Sequence, residues 1–234
     1  MKSDYPQLLL VLFLSAVWVL ILPCRAQEKP ACEVAIAALT LPNGSSGLLH
    51  VRTEPVATTP LQLSTRYFSE RVKLPGSTLQ FFKDPVVIKE ASAAPEPLLT
   101  LQLPPATKLA YAVLWAETDQ KKQTVWKGYI ITAKDWENSS LKVFNASSEQ
   151  IGITAGTKNI LLLSGKSVDF PARDWGKPFP VKLFHFKPET KCIFSSTWRV
   201  TSGSRELCFV CNINHAVSLR SIMEISSPKS KAVP

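Results

Sequence analysis

Cysteine carries the most reactive side chain in this sequence, and its five copies are unevenly spaced. Cys24 lies in an apolar N-terminal segment, and the remaining four are Cys32, Cys192, Cys208 and Cys211. Four thiols allow three pairings, which the sequence alone does not distinguish. The strand pattern places Cys192 and Cys211 on the buried side of one predicted hairpin, so these two are the candidates for a structural disulfide. The alternative is that at least one pair stays free and packs as small apolar side chains.

The spacing of Cys208 and Cys211 forms a C-x-x-C motif, which occurs in redox and zinc sites. A reactive first cysteine of this motif lies at a helix N-terminus, where the helix dipole lowers its pKa. Here the motif lies within the apolar run 207–211, which predicts a strand, and residues three apart on a strand point to opposite faces. The three histidines are scattered without metal-ligand spacing. The sequence therefore predicts neither a metal site nor a cofactor.

Signatures of catalysis are missing as well. The sequence contains no G-x-S-x-G motif, so it lacks the nucleophile elbow of esterases. The carboxylates are too dispersed to nominate a pair that acts as general acid and base. These observations favour a protein that is not an enzyme. The alternative is a periplasmic enzyme or enzyme accessory whose site is assembled from distant loops.

Two further kinds of residue could bind or carry a ligand. Trp175 lies in the basic and polar connector 173–178, and a loop aromatic in such a setting suits a carbohydrate or a partner protein; the alternative is that it packs over a sandwich end. Asn43, Asn138 and Asn145 each begin an N-x-S triplet, which is an acceptor for N-glycosylation in hosts that glycosylate exported proteins.

The N-terminus carries the signal that determines the compartment. Leu8 to Leu22 is apolar apart from Ser15, and as a helix it would span about 22 Å, short of a bilayer core of about 30 Å. With small Ala26 behind it, the segment is typical of a secretory signal peptide cleaved before Gln27. The alternatives are a retained signal anchor or a lipid-modified Cys24. Export would place the protein in the periplasm, outer envelope or exterior, where thiols can oxidise.

Charge excludes one class of partner. The chain has 27 Lys and Arg against 18 Asp and Glu, a net charge of +9. Nucleic-acid binders concentrate basic residues on one stripe with aromatic residues between them. Here the basic residues do not cluster, which favours a solvated basic surface. A membrane partner is expected only if the N-terminal segment is retained.

Proline spacing and short apolar runs predict an all-β fold. The chain has 18 prolines and 9 glycines, and the prolines of the first half forbid long helices. Between them lie alternating runs of roughly five to nine residues, the pattern of half-buried strands. The runs Cys192–Val200 and Glu206–Ile213, joined by the turn 201–204, predict an antiparallel hairpin with one apolar face. Apolar faces of this kind cover each other in a β-sandwich.

The chain length allows one or two sandwich domains. Weak internal echoes, of Leu48–Pro55 in Leu141–Ser147 and of Lys73–Phe81 in Leu163–Phe170, favour two. The resulting division is a signal peptide over 1–26, antiparallel sandwich units over 27–134 and 135–226, and a flexible basic tail over 227–234. Units of this length are the size of an immunoglobulin-like sandwich.

The segment Cys192–Ile225, with Phe194–Arg199 and Leu219–Ile222 within it, resembles the end of uncharacterised exported β-sandwich proteins of bacterial envelopes. The resemblance covers about the last ninety residues and implies export and an all-β fold, without an activity.

Together these features predict an exported, non-catalytic binding or structural protein of the cell envelope or exterior. An unknown protein or polysaccharide would be its partner, because sandwich ends and loops provide binding surfaces. A third alternative is a signal-anchored envelope assembly factor.

Overall fold

The computed structural model describes residues 32–42, 44–55, 57–87, 95–118, 121–136, 138–186, 189–213 and 216–224. Its described part is nearly all β, with 59% of the described residues in strands and 2% in helix, which confirms the all-β prediction. The predicted signal peptide 1–26, the tail 227–234 and Asn43 lie outside the described residues. Within the described part, no helix is long and apolar enough to cross a membrane.

The strands, numbered along the chain, are β1 Cys32–Ala38, β2 Leu48–Arg52, β3 Thr58–Gln62, β4 Val72–Leu74, β5 Thr78–Phe82, β6 Leu99–Gln102, β7 Leu109–Thr118, β8 Thr124–Thr132, β9 Ser140–Asn145, β10 Ile151–Ala155, β11 Lys158–Leu162, β12 Ser167–Pro171, β13 Phe179–His185, β14 Lys191–Trp198, β15 Arg205–Ile213 and β16 Ala216–Glu224. One helical turn, α1 (Ala172–Trp175), separates β12 from β13.

These strands form four sheets of four strands each. The first half of the chain (residues 32–132) makes a first outer sheet, β3-β2-β5-β6, and a first inner sheet, β4-β1-β7-β8. The second half (residues 140–224) makes a second inner sheet, β12-β9-β15-β16, and a second outer sheet, β11-β10-β13-β14. Neighbouring strands are antiparallel except for β1 with β7 and β9 with β15, which are parallel.

Alternating side chains assign these sheets to layers. In β1, Val34 and Ile36 enter a first core shared with the first outer sheet, whereas Ala35 and Ala37 enter a central core. In a strand, successive side chains point to opposite faces, so β1 is buried on both sides. This explains its continuous apolar sequence, which alternation alone could not assign to strand or helix.

The central core joins the two halves. It contains Tyr111 from the first inner sheet and Phe144, Leu207 and Phe209 from the second inner sheet. In β15, Cys208 points to the face opposite that of Leu207 and Phe209. It enters a third core, which the second inner sheet shares with the second outer sheet. The four sheets are thus stacked as outer, inner, inner and outer layers, with one apolar core between each adjacent pair, in a sandwich-like arrangement.

The two halves repeat one topology strand for strand. In each half the first strand pairs in parallel with the seventh and antiparallel with the fourth. The outer sheets also match, with β10, β11, β13 and β14 in the places of β2, β3, β5 and β6. Because the halves share the central core, the folding of units 27–134 and 135–226 as separate domains stays a prediction.

Two predicted features of the second half, one hairpin and one internal repeat, are wrong. β14 pairs with β13, and β15 pairs with β9 and β16, so the predicted hairpin of Cys192–Val200 with Glu206–Ile213 does not form. Their short connection passes between two facing sheets instead of turning within one sheet. The internal echoes also have the wrong register, because Leu48–Pro55 contains β2, whose counterpart is β10, and not β9.

A polar network joins the first inner sheet to the second inner sheet. The hydroxyl of Tyr111 donates to the Glu224 carboxylate at 2.8 Å, and Arg205 donates to the Tyr111 hydroxyl oxygen. Arg71 contacts the same carboxylate at 3.3 Å. Burial, followed by the hydrogen bond to Glu224, raises the pKa of Tyr111 to about 12. A neutral tyrosine thus links a cation and a carboxylate between the two inner sheets.

Candidate binding surface

The two cysteines predicted to pair are free thiols in different sheets. Cys192 is exposed on β14 of the second outer sheet, and Cys211 is buried on β15 of the second inner sheet. Cys211 enters the central core, on the side of its sheet that faces away from β14. The predicted disulfide depended on a hairpin that would hold both residues, and that hairpin does not form. The structure therefore does not bring the two thiols together.

The C-x-x-C motif lies in β15, as its apolar pattern predicts. Cys208 enters the third core and Cys211 the central core, so the thiols face opposite layers. Burial raises the pKa of Cys211 to about 11 and raises that of Cys208 further still. Both thiols are poor nucleophiles at neutral pH for that reason.

Trp175 is half-buried, and its ring has partners within the molecule. The ring centroid lies 4.3 Å from that of Phe179 and 5.2 Å from that of Phe170. The Lys158 ammonium lies 5.2 Å from the indole centroid, in a cation–π contact. Trp175 therefore packs over the edge of the third core, and its role as a ligand-facing residue stays a prediction.

The glycosylation triplets differ in accessibility. Asn138 is exposed. Asn145 is fully buried, and its amide nitrogen donates to the backbone oxygens of Glu149 and Leu162. Its amide oxygen accepts hydrogen bonds from the backbone and hydroxyl of Ser147. The folded chain does not accommodate a glycan on Asn145, because that side chain holds the turn after β9.

Two further ion pairs lie in the second half of the chain, apart from the network around Tyr111. His185 contacts Glu149 at one end of the third core. Lys142, 7% exposed at its side chain, binds Asp169 on the neighbouring strand at 2.6 Å. The described residues hold no group of three or more His, Cys, Asp or Glu side chains that could bind a metal. Lys142 and Asp169 join two adjacent strands, and His185 holds the turn that contains Glu149, so both pairs fit a structural role.

A shallow cavity of about 330 Å³ lies beside α1. Its lining is Asn138, Ser139, Pro171, Ala172, Arg173 and Ser202. The Ser139 hydroxyl accepts a hydrogen bond from the Gly203 backbone, and its carbonyl accepts one from Ala172. These contacts join turns of the second half, and the cavity has no aromatic or acidic side chain in its lining.

An exposed apolar surface lies on the second outer sheet. In β10, Gly152 lies between two isoleucines of the third core, so it faces outward. The register places Leu161 and Phe184 on either side of Gly152, and Cys192 lies opposite Phe184. Four strands thus present one outward row. We call this row, together with Phe186, the second outer face.

The second outer face is apolar and open to solvent. Leu161 is 57% exposed and Phe186 is 41% exposed. The Phe186 ring lies across β10, where a Cβ atom at Gly152 would come within 2.7 Å of the ring Cζ. Among the described strand residues of this sheet, alternation points one charged side chain outward, the exposed Lys182. An exposed apolar group whose described strand neighbours point one cation and no carboxylate outward is the kind of patch that marks an interaction site.

A second group of aromatic residues at the surface, half-buried Trp115 on β7 and exposed Tyr129 on β8, is engaged within the molecule. Trp115 donates to Glu117 at 2.8 Å, and Lys127 binds the same carboxylate at 2.6 Å. The ring centroid of Tyr129 lies 4.2 Å from that of Phe144, across the central boundary. The hydrogen bonds from Lys127 and, to a smaller extent, from Trp115 lower the pKa of Glu117. The surface is therefore better explained as support for the junction between the halves.

The sequence contains a signal for the second outer face. Residues 160–163 are Ile-Leu-Leu-Leu, and a half-buried strand should alternate instead of running apolar on both faces. Leu162 enters the third core, so Leu161 must point the other way. The contribution of Gly152 was not foreseeable, because β10 has no clear alternation.

Comparisons with protein-family models and with curated proteins find no match. Its function must therefore be inferred from its own residues.

Proposed function

We propose that this chain is an exported, non-catalytic binding or structural protein of the cell envelope or exterior, and that it binds through the second outer face. The exposed row around Gly152 is the observation that carries the proposal. Burying its large apolar side chains against a partner would be favourable by about 25 cal/mol per Å² of apolar surface removed from water.

The proposal includes two finer statements. Each half is an immunoglobulin-like sandwich, which the facing sheets of each half and their common core support. The first 26 residues are a cleaved signal peptide, which their apolar stretch of sub-membrane length supports. An envelope protein stays close to its partners after export. An exposed apolar patch can then serve as a lasting binding surface.

Fractionation of the native host tests the proposal. We expect the protein to begin at Gln27 outside the cytoplasm and to be recovered with envelope material. A Leu161→Asn, Phe186→Ser variant should be released into the soluble exported fraction. Leu98→Asn is the matched control, because Leu98 is 40% exposed on the other half.

Two results would overturn the proposal. One is an intact N-terminus on protein that stays in the cytoplasm. The other is equal release of the wild type, the double variant and the control, since the second outer face would then make no contribution to retention.

A further inference from the structure

The edge strands of the two outer sheets differ in how their unpaired backbone groups are blocked. The last strand of a sheet directs half of its N–H and C=O groups to an open side, where a further strand can pair with it. These strands are β3 and β6 in the first outer sheet, and β11 and β14 in the second. Short length, proline and bulges are common means by which proteins prevent such pairing.

Three of these four strands carry a blocking feature. Just beyond β3, the Leu63 N–H donates to the Gly47 carbonyl oxygen at 2.9 Å. Backbone groups alternate in direction along an antiparallel pair, so Pro60 of β3 turns its nitrogen to the open side, where it has no hydrogen to donate. β6 has only four residues. A register shift between Leu183 and Phe184 interrupts the pairing of β14 with β13.

β11 contains no proline, and its pairing with β10 is continuous. Gly156, the residue after β10, donates its N–H to the Pro180 carbonyl oxygen on β13 at 2.8 Å. By alternation, Ala155 directs its backbone groups to β11, and Asn159 and Leu161 direct theirs to the open side. None of the described strands lies beyond β11 in this sheet. Both backbone donors and acceptors are therefore available along the edge of β11.

Apolar side chains accompany these open backbone groups. Leu161 is 57% exposed and Leu163, the residue after β11, is 43% exposed. Leu162 between them enters the third core, so the other two point outward. An edge strand that is left in water usually carries charged side chains instead. The edge of β11 thus offers a further strand both hydrogen bonds and apolar contact.

The charges beside this edge distinguish a partner from a second copy of the chain. Residues 156–166 include the exposed Lys158 and Lys166 and no acidic residue. Antiparallel pairing of β11 with its own copy would bring the start of one strand, with Lys158, close to the end of the other, with Lys166. Like charges oppose that arrangement, whereas acidic residues at the ends of a partner segment would be attracted.

We propose that β11 is a docking edge for a partner polypeptide, which binds in extended conformation as a fifth, antiparallel strand of the second outer sheet. This inference rests on the proposed function and names the class of partner. The partner backbone exchanges hydrogen bonds with Asn159 and Leu161, and an apolar side chain of the partner lies beside Leu161. In strand addition of this kind, backbone bonds supply affinity and alternate side chains supply specificity.

A synthetic peptide of alternating valine and threonine with an aspartate at each end is the probe, because it offers a strand backbone, an apolar side and acidic ends. We expect the purified protein to bind the fluorescently labelled peptide saturably, with a dissociation constant of about 1 mM or tighter. Methylation of the valine backbone nitrogens should abolish the binding, since a residue opposite Leu161 directs its N–H to β11. Methylation of the threonine nitrogens is the matched control and should leave the affinity unchanged.

Protein variants locate the binding at the edge. Leu161→Pro removes the open N–H and keeps an apolar side chain, as Pro60 does in β3. It should weaken the binding about tenfold, the effect of losing one hydrogen bond. Leu161→Val keeps the N–H and should bind as the wild type does. Thermal unfolding shows whether each variant is folded, and the two methylated peptides test the pairing on the wild type without any substitution.

The inference is overturned by the absence of saturable binding, by equal effects of the two methylations, or by full affinity of folded Leu161→Pro. It is also overturned if analytical ultracentrifugation shows a wild-type dimer that Leu161→Pro abolishes, because the edge would then pair with a second copy. None of these results alters the release of the Leu161→Asn, Phe186→Ser variant on fractionation, so the failures of the two proposals are distinguishable.

Discussion

Cys192 differs from the other described cysteines in its exposure. Cys32, Cys208 and Cys211 are at most 8% exposed, whereas Cys192 lies open on an edge strand. Burial raises the pKa of each of the three inner thiols. Since the thiolate is the reactive form, only Cys192 combines access with an outward position at the second outer face.

Thiol labelling of the reduced exported protein should therefore modify Cys192 quickly under native conditions. The three inner thiols should react only after unfolding in denaturant. Mass spectrometry with an alkylating reagent counts the modified residues, and Cys192→Ser is the control that removes the fast reaction. Fast native labelling of Cys208 would contradict the burial of the C-x-x-C motif.

Tyr111 should make stability dependent on alkaline pH. Its folded-state pKa is about 12, above the value of about 10 for an exposed tyrosine. The stabilisation is therefore fully present below about pH 10 and is lost as the pH rises through about 12. Denaturant unfolding of wild type and Tyr111→Phe across this range measures the effect, and the variant should lose less stability with rising pH.

Near neutral pH, Tyr111→Phe should lower the free energy of unfolding by about 1–3 kcal/mol, because it removes a hydroxyl that hydrogen-bonds to the half-buried side chains of both Arg205 and Glu224. Tyr129→Phe, at a ring 37% exposed, should change it by less than about 0.5 kcal/mol. Equal effects of the two substitutions would contradict the assigned network.

At the scale of the strand, two glycines test the difference between the core and the open face. A Cβ at Gly152 would meet the movable end of the Phe186 ring, whereas a Cβ at Gly128 would meet Leu101 at 2.8 Å and Leu114 at 3.0 Å in the first core. We expect Gly128→Ala to cost about 1–3 kcal/mol by overpacking. Gly152→Ala should cost less than about 1 kcal/mol while displacing the ring.

Chemical unfolding of both glycine variants gives the stabilities. A large loss of stability in Gly152→Ala, or none in Gly128→Ala, would mean that the faces of the strands are assigned wrongly.

Strand content could be predicted from sequence, and strand pairing could not. The runs Leu109–Glu117 and Thr124–Ala133, joined by a short polar connection, predict a hairpin, and β7 and β8 form it. The same reasoning failed for Cys192–Val200 and Glu206–Ile213, because a short turn can also carry the chain from one layer to the facing one. Periodicity reports which side chains share a face, but it does not report which sheet the strand joins.

The candidate site was harder to predict for the same reason. Leu161 and Phe184 lie more than twenty residues apart and become neighbours only through β10. Trp175 is a candidate ligand-facing residue in the sequence because it is an aromatic residue in a polar connector. In the structure its ring packs against Phe179. Sequence shows which side chains are unusual for their local pattern, whereas exposure depends on the layers above them.

At the scale of the whole molecule, the central core predicts that the two halves unfold together. Phe209 is fully buried in that core, between the inner sheets. Phe209→Ala should cost about 3–5 kcal/mol and should lower the stability of both halves. Tryptophan fluorescence and far-ultraviolet circular dichroism should give coincident transitions. Two separate transitions in the wild type would instead indicate independent domains.

The most direct test of the binding surface is photo-crosslinking in living cells, with a photoreactive amino acid at position 161 and, as the matched control, at position 98. The account predicts an adduct of the exported protein with a polypeptide from position 161 and none from position 98. No adduct from position 161, or equal adducts from both positions, would contradict it.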